Sequence, residues 1–149
     1  MRLIAKNKFA YFNYRIAEKW QAGIILTGPE VKSAKYGQLN LKNSYCAFDS
    51  NGELWIKDMH ISPYLPAKRE QQGYQPTRPR KLLLNKRESQ SLIGKLEQKG
   101  FSLVPLQAYT QNKFIKLEIG LGRGKKKFDK KEAIKKREVE REIRRKFRN

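Results

Sequence analysis

Core-forming residues are spread too unevenly along this 149-residue chain for all of it to share one interior. Residues 1–122 hold 31 Leu, Ile, Val and Phe, whereas residues 123–149 hold five. The first stretch can bury a core, and the last 27 residues cannot do so alone. The division expected is a globular domain at 1–122 and an appended tail at 123–149.

Charge does not follow that division. The chain carries 34 Lys and Arg against 14 Asp and Glu, a net of +20. The tail holds 14 basic and five acidic residues, +9, leaving 20 against nine, +11, on the domain. A domain basic in its own right attracts polyanions, meaning nucleic acid or an anionic membrane surface. No stretch approaches the roughly 20 apolar residues of a membrane span. The N-terminus "MRLIAKNKFAYFNYRI" lacks the apolar run and cleavage site of a signal peptide, so a cytoplasmic location is expected.

The domain reads as mainly β. "FAYFNYRIAEKWQAGIIL" at residues 9–26 is rich in aromatic and β-branched residues and suggests one or two strands. In "TGPEVKSAKYG", Pro29 suits a first helical position and Gly37 a stop, so a short helix follows. Asn51-Gly52 between two apolar runs predicts a hairpin. Residues 60–80 have no period and read as a loop. Asn85 as N-cap with Glu88 completing a capping box opens a second helix, which Gly100 ends. "FSLVPLQAY", "TQN" and "KFIKLEI" form another hairpin, with Pro105 at an edge or bulge. Hairpin-linked strands with helices too short to cover both faces imply a closed antiparallel barrel of the oligonucleotide-binding (OB-fold) kind, with two to three flanking short helices.

Catalytic chemistry has little to stand on. Cys46 is the only cysteine, which excludes an intramolecular disulfide and a Cys-rich metal site, and in "SYCAF" it reads as a buried inert thiol. The single histidine, His60, reads as structural. No metalloprotease, Walker or nucleophile-elbow motif is present. "GLGRG" at 120–124 departs from the nucleotide-loop patterns, and its glycines read as a hinge. A non-enzymatic protein without cofactor or metal is expected.

Binding chemistry is better represented. "TRPRKLLLNKRE" clusters Arg78, Arg80 and Lys81 before an apolar run, then Lys86 and Arg87 at the opening of a helix, a pattern suited to phosphates. Tyr11, Phe12, Tyr14, Trp20 and Tyr36 are of the type that stacks on unpaired bases, although most of them are expected in the core. In the tail, Asp129 and Glu132 encode a helix start, and Glu132–Lys136, Glu140–Arg144 and Glu142–Lys146 are favourable i,i+4 pairs. Val139, Ile143 and Phe147 give only a thread of apolar surface. The tail should be disordered when free and helical on an anionic template.

Six segments, "AGIILTGPEVKS", "NLKNSYCAF", "HISPY", "PTRPRKLLLNKRE", "GFSLVPLQAY" and "GRGKKKFDKKEAIKKRE", in that order and spacing, closely resemble the SsrA-binding protein (small protein B) family. The resemblance runs nearly end to end. It implies a bacterial RNA-binding protein, acting as a monomer, that binds the tRNA-like domain of transfer-messenger RNA and delivers it to stalled ribosomes for trans-translation. The tail would enter the empty mRNA channel, against small-subunit rRNA near the decoding centre. The RNA-binding residues it implies, joined to the basic cluster above, are Asn7, Lys8, Gln21, Gly23, Arg80, Lys81, Leu83, Asn85, Lys86, Arg87, Gly124, Lys125 and Lys126. The ribosome-directed residues are Phe128, Asp129, Lys130, Lys131, Ile134, Lys135 and Arg137. Three positions depart from the family pattern. Gln21 replaces a Glu, "FAYF" (Phe9 to Phe12) replaces a basic stretch, and Lys131 replaces an Arg, which forfeits bidentate geometry.

Overall fold

Burial that alternates with a period of two marks the strands that form the body of the domain. The computed structural model describes residues 1–125 and 127–148, with side chains for 1–125 and 134–146. The elements in order are β1 (Arg2–Lys6), α1 (Lys8–Asn13), β2 (Tyr14–Ile24), α2 (Gly28–Lys35), β3 (Leu39–Asn40), β4 (Tyr45–Phe48), β5 (Leu54–Lys57) and β6 (His60–Ile61). A 3-10 helix (Leu65–Gln71), β7 (Arg80–Leu83), α3 (Lys86–Leu96), β8 (Phe101–Gln111), β9 (Phe114–Gly124) and α4 (Lys127–Arg148) follow.

Seven strands form one antiparallel sheet in the order β1-β8-β9-β2-β7-β5-β4, and β3 pairs with β6 separately. One face carries the core, in which Ala22, Leu54, Ile56, Leu82, Leu117 and Ile119 are almost wholly buried. Among the described residues no ladder joins β1 to β4, so hydrogen bonds do not close the sheet into the expected ring. The sheet also continues to Gly124, which pairs with Tyr14, while Arg123 pairs with Arg15.

Several local expectations hold. Asn51-Gly52 turns β4 into β5, with Gly52 at φ +77° and the Asp49 carboxylate accepting from Asn51 N, Glu53 N and Trp55 Nε1. Asn85 and Glu88 form the predicted capping box of α3, and the register shifts at Pro105. Cys46 is buried, which pushes its thiol pKa up.

Three expectations fail. Residues 8–13 are helical rather than extended, because Asn7 caps α1 by accepting from Ala10 N at 3.2 Å while donating to Pro105 O at 2.8 Å. The glycines of "GLGRG" are no hinge. A Cβ on Gly120 would meet Leu106 Cδ1 at 2.8 Å, and one on Gly122 would meet Ile16 and Tyr14 at 3.1 Å. Both glycines make room on the outer face of β9, where Ala10, Val104 and Leu106 form a small second cluster with Tyr11, Tyr14 and Ile16. The 60–80 stretch is not an unstructured loop but carries β6, the 3-10 helix and a buried charge network.

That network centres on Glu30, 1 % exposed, in the first turn of α2. Its carboxylate accepts from Thr27 N at 3.0 Å, Tyr74 Oη at 3.0 Å, Arg80 Nε at 2.7 Å, and both Nε and Nη2 of Arg78. Arg80, fully buried, also donates to Met59 O, Pro76 O and Tyr74 Oη. Burial pushes the Glu30 pKa up, but the bonds from Arg78, Thr27 and Arg80 outweigh it and hold the group at about 2, below its ordinary 4.5. A carboxylate whose pKa falls on folding stabilises the fold above its unfolded value, and that stability is lost as pH falls through the folded value. Urea denaturation should therefore show stability declining between about pH 4.5 and 2. Glu30→Gln should lose about 3–5 kcal/mol at pH 7, because Arg80 is left buried without its counterion, and should flatten the acid-side decline.

Candidate nucleic-acid interface

Strand alternation that sends Ala22, Leu82 and Leu117 inward sends their neighbours outward. Gly23 on β2 pairs with Leu83 on β7 and with Lys116 on β9, so these three positions form a row across the centre of the sheet. Gln21 lies two residues back along β2, opposite Glu118. A Cβ built on Gly23 would point at Leu83 Cβ, 3.4 Å away, and at Lys116 Nζ, 3.8 Å away, which confirms a shared outer face. The absent side chain leaves the floor of a cleft of about 400 Å³, walled by Gly23, Ile25, Leu83, Lys113, Phe114 and Lys116.

The cleft is both basic and apolar. Leu83 is 49 % exposed and Phe114 67 %, and the Lys116 ammonium stands 5.9 Å from the Phe114 ring centroid. Exposed apolar area rimmed by lysines suits a polyanion with flat apolar faces, which is the chemistry of RNA. Gln21 keeps its carboxamide at the surface, donating to Gln111 Oε1 at 2.6 Å. At the other end of the same face, α1 lies over the sheet, with Tyr11 Oη donating to Glu118 at 3.4 Å and Lys6 and Lys19 close to its ring.

The residues singled out from the sequence divide accordingly. Gln21, Gly23 and Leu83 come together in the cleft. Asn85 follows Leu83 by two residues, but its side-chain oxygen is committed to capping α3; exposed Lys86 and Arg87 open that helix. Lys81 is half-buried and paired with Glu53 at 3.0 Å. Asn7 and Arg80 are buried, held by the α1 cap and the Glu30 network, so neither side chain stands on this surface; Lys8 is exposed at the start of α1. Gly124 ends β9, and Lys125 is tied to α1 through its N to Asn13 O at 2.8 Å and its Nζ to Tyr11 O at 3.1 Å.

In the tail, Ile134, Lys135 and Arg137 are exposed on α4, and Arg137 lies over the Phe12 ring at 5.3 Å. Lys126 lies outside the described residues, as do the side chains of Phe128, Asp129, Lys130 and Lys131. His60 is exposed on β6. Among the described residues no group of His, Cys, Asp and Glu could hold a metal ion, and no helix is long and apolar enough to cross a membrane.

Lys113, Phe114 and Lys116 escape the sequence reading. Alternation in "KFIKLEI" places Lys116 on the polar side of a strand, but only the register of β9 against β2 brings it to Gly23.

Comparison with known proteins agrees with the surface chemistry. Residues 4–149 match the family profile described as SmpB protein. The SsrA-binding protein of Carboxydothermus hydrogenoformans is 49 % identical over 142 residues, covering 95 % of this chain and 93 % of that one. That of Persephonella marina is 46 % identical over 147 residues, covering 99 % and 95 %. A solved structure described as "tmRNA-SmpB: a journey to the center of the bacterial ribosome" superposes with a TM-score of 0.64 at 41 % identity, covering 87 % of this chain and 93 % of that one.

Lys116→Gln should leave the thermal midpoint within about 2 °C, because the ammonium is in none of the buried networks. It should weaken binding to RNA and lower the slope of log affinity against log salt by about one. Titrations across a salt series read both, and an unchanged slope would remove Lys116 from the phosphate contacts.

Proposed function

The chain belongs to the SmpB protein family, and from that premise we propose that it binds the tRNA-like domain of transfer-messenger RNA and carries it to stalled ribosomes for trans-translation. The protein is not an enzyme, and its task is recognition and delivery in the cytoplasm. The observation that carries the reading is the Gly23–Leu83–Lys116 row. A side-chain-free floor lets RNA approach the sheet, an exposed leucine and Phe114 meet base or ribose faces, and the lysines meet phosphate. Gln21 at the rim offers a carboxamide for a hydrogen bond, without the charge a glutamate would bring.

The seven-stranded sheet is best understood as rolled into a barrel of the OB type. In support, β4 approaches β8 although the two are far apart in the ladder order, and a single core is shared by strands from both ends of the sheet. The approach of β4 to β8 supports closure at the point where the ladder leaves the sheet open.

The tail acts separately. On α4, Ile134, Val139 and Ile143 are 44–54 % exposed, so about half of each of these apolar side chains stays in water. Its order when bound comes from an anionic surface, small-subunit RNA along the mRNA channel near the decoding centre, where Lys135 and Arg137 and the helix start at 128–131 face the phosphates.

The test is a titration of the full chain, and of a chain ending at Lys125, against a tRNA-like RNA. A plain duplex of equal length competes at about 150 mM salt, where nonspecific phosphate binding is reduced. Truncation at Lys125 spares β9 and the bonds from Lys125 to α1. Both proteins should prefer the tRNA-like RNA by at least tenfold, about 1.4 kcal/mol. Equal affinity of the full chain for both RNAs would overturn the recognition reading. Preference lost only on truncation would place the tail in the RNA grip.

A further inference from the structure

Of the five aromatic residues suited to stacking on bases, four are engaged elsewhere. Trp20 packs against the main core, Tyr11 and Tyr14 against the second cluster, and Phe12 lies under Arg137. Tyr36, at the C-terminal end of α2, is different, for it is 73 % exposed. Its ring lies almost parallel to that of Tyr64, with centroids 6.2 Å apart and planes at 12°.

This pair is assembled from two segments that the fold fastens together. Gly37 at φ +82° stops α2 immediately after Tyr36. Ser33 on α2 donates to Ser62 O at 2.6 Å, and Ser62 N donates to Gln38 O at 3.0 Å, which pins the strand leading to Tyr64 against the helix end. Tyr64 itself is clamped by one side chain. Gln71 Oε1 accepts from Tyr64 N at 2.9 Å, and Gln71 Nε2 donates to Tyr64 O at 2.6 Å and to Ala67 O at 2.8 Å. Both rings are therefore positioned in advance, yet the outer one remains in solvent.

The surroundings are cationic. Lys32, one turn before Tyr36, holds its ammonium 5.6 Å from the Tyr64 ring centroid. Lys35 is exposed beside it, and exposed Lys68 and Arg69, with Glu70, line a neighbouring cleft of about 840 Å³ between Pro63 and Tyr74. An exposed aromatic face with Lys32 and Lys35 on the same helix end matches the demands of a nucleotide, a π-face for the base and positive charge for its phosphates. None of these residues lines the Gly23–Leu83–Lys116 cleft.

We propose that Tyr36 and Tyr64, with Lys32 and Lys35, form a second RNA contact, a platform on which an unpaired base stacks against the free face of Tyr36 while the lysines meet the flanking phosphates. The proposal rests on the reading of the chain as an RNA-binding protein, and it assigns RNA contact to a surface separate from the cleft. The base could be supplied by the tRNA-like RNA or by ribosomal RNA, and the two arms of the test separate these.

Full-length wild type, Tyr36→Ala and Tyr36→Phe are titrated against the tRNA-like RNA and, separately, against isolated small ribosomal subunits. Thermal unfolding checks that all three fold. Tyr36→Ala should lose about fivefold or more on the arm that supplies the base, in keeping with the usual strength of base–aromatic stacking. Tyr36→Phe should bind as wild type there, because stacking needs the ring and not the hydroxyl. Wild-type binding on both arms with no loss in Tyr36→Ala would overturn the platform and leave the proposed function standing. Equal loss in Tyr36→Phe would overturn stacking as the mode of contact. Absence of wild-type binding to either RNA species would overturn the function reading and the platform with it.

Discussion

The salt bridge between Glu30 and Arg80, both side chains without solvent exposure, is the contact from which the surface of this protein is organised. Two charges removed from water are costly, and an isolated buried pair is a poor source of stability. Here each has further partners, so every oxygen and guanidinium nitrogen of the pair is hydrogen-bonded. The network joins three parts of the chain that also meet in the main core, through Ala34, Met59, Ile61 and Leu82. It fixes the start of α2 through Thr27 and Glu30, the irregular stretch 59–78 through Met59, Tyr74 and Pro76, and β7 through Arg80 itself. Placing β7 places Leu83 beside Gly23, and placing α2 places Tyr36 beside Tyr64. Both proposed contact surfaces thus depend on a charge network that lies beneath them.

The central strands then divide their two faces by a simple device. Inward positions are mostly aliphatic, with Trp20 packed on the core and Arg80 buried among them. Outward positions change character, with Gly120 and Gly122 admitting Leu106, Ile16 and the residues of α1 at one end and the cleft left uncovered at the other. Gly23 has a different role from Gly120, since a Cβ there meets Leu83 only at ordinary contact distance. Its importance lies in the space it leaves, whereas that of Gly120 lies in packing. A single outer face is therefore sealed at one end, where the ladder shifts register at Ile16/Glu18 and Pro105/Gln107, and open at the other.

What the sequence made legible was local. The capping box of α3, the Asn51-Gly52 turn, the stop at Gly37 and the bulge at Pro105 each depend on residues within a few positions of one another. The failures are non-local. Phe9 to Phe12 have strand composition, yet Asn7 turns them into a helix with the help of a carbonyl 98 residues away. Arg80 reads as a surface cation because most arginines are, and only the fold supplies the buried Glu30, 50 residues earlier, that makes burial tolerable. Gln21, Gly23 and Leu83 were reached through family resemblance. Lys116, their neighbour in space, was not, because strand register is a property of the sheet and not of "KFIKLEI".

The aromatic α1 gains a physical meaning from its contacts. Positions 9–12 hold Phe, Ala, Tyr and Phe, so this stretch of α1 offers no cation of its own. The same helix now receives cations from its own tail, Arg137 over the Phe12 ring and Lys125 on the Tyr11 carbonyl. A ring face attracts a guanidinium where a lysine or arginine in its place would repel it. The aromatic stretch thus gives α1 a contact with α4 through Phe12. Since a cation–π contact of this kind contributes only about 0.5–1 kcal/mol at an exposed site, it can bias the direction in which the helix leaves the domain without holding it there. One such contact is small beside the many phosphate contacts proposed for the tail, so it would not prevent the tail from exchanging its aromatic partner for an anionic one.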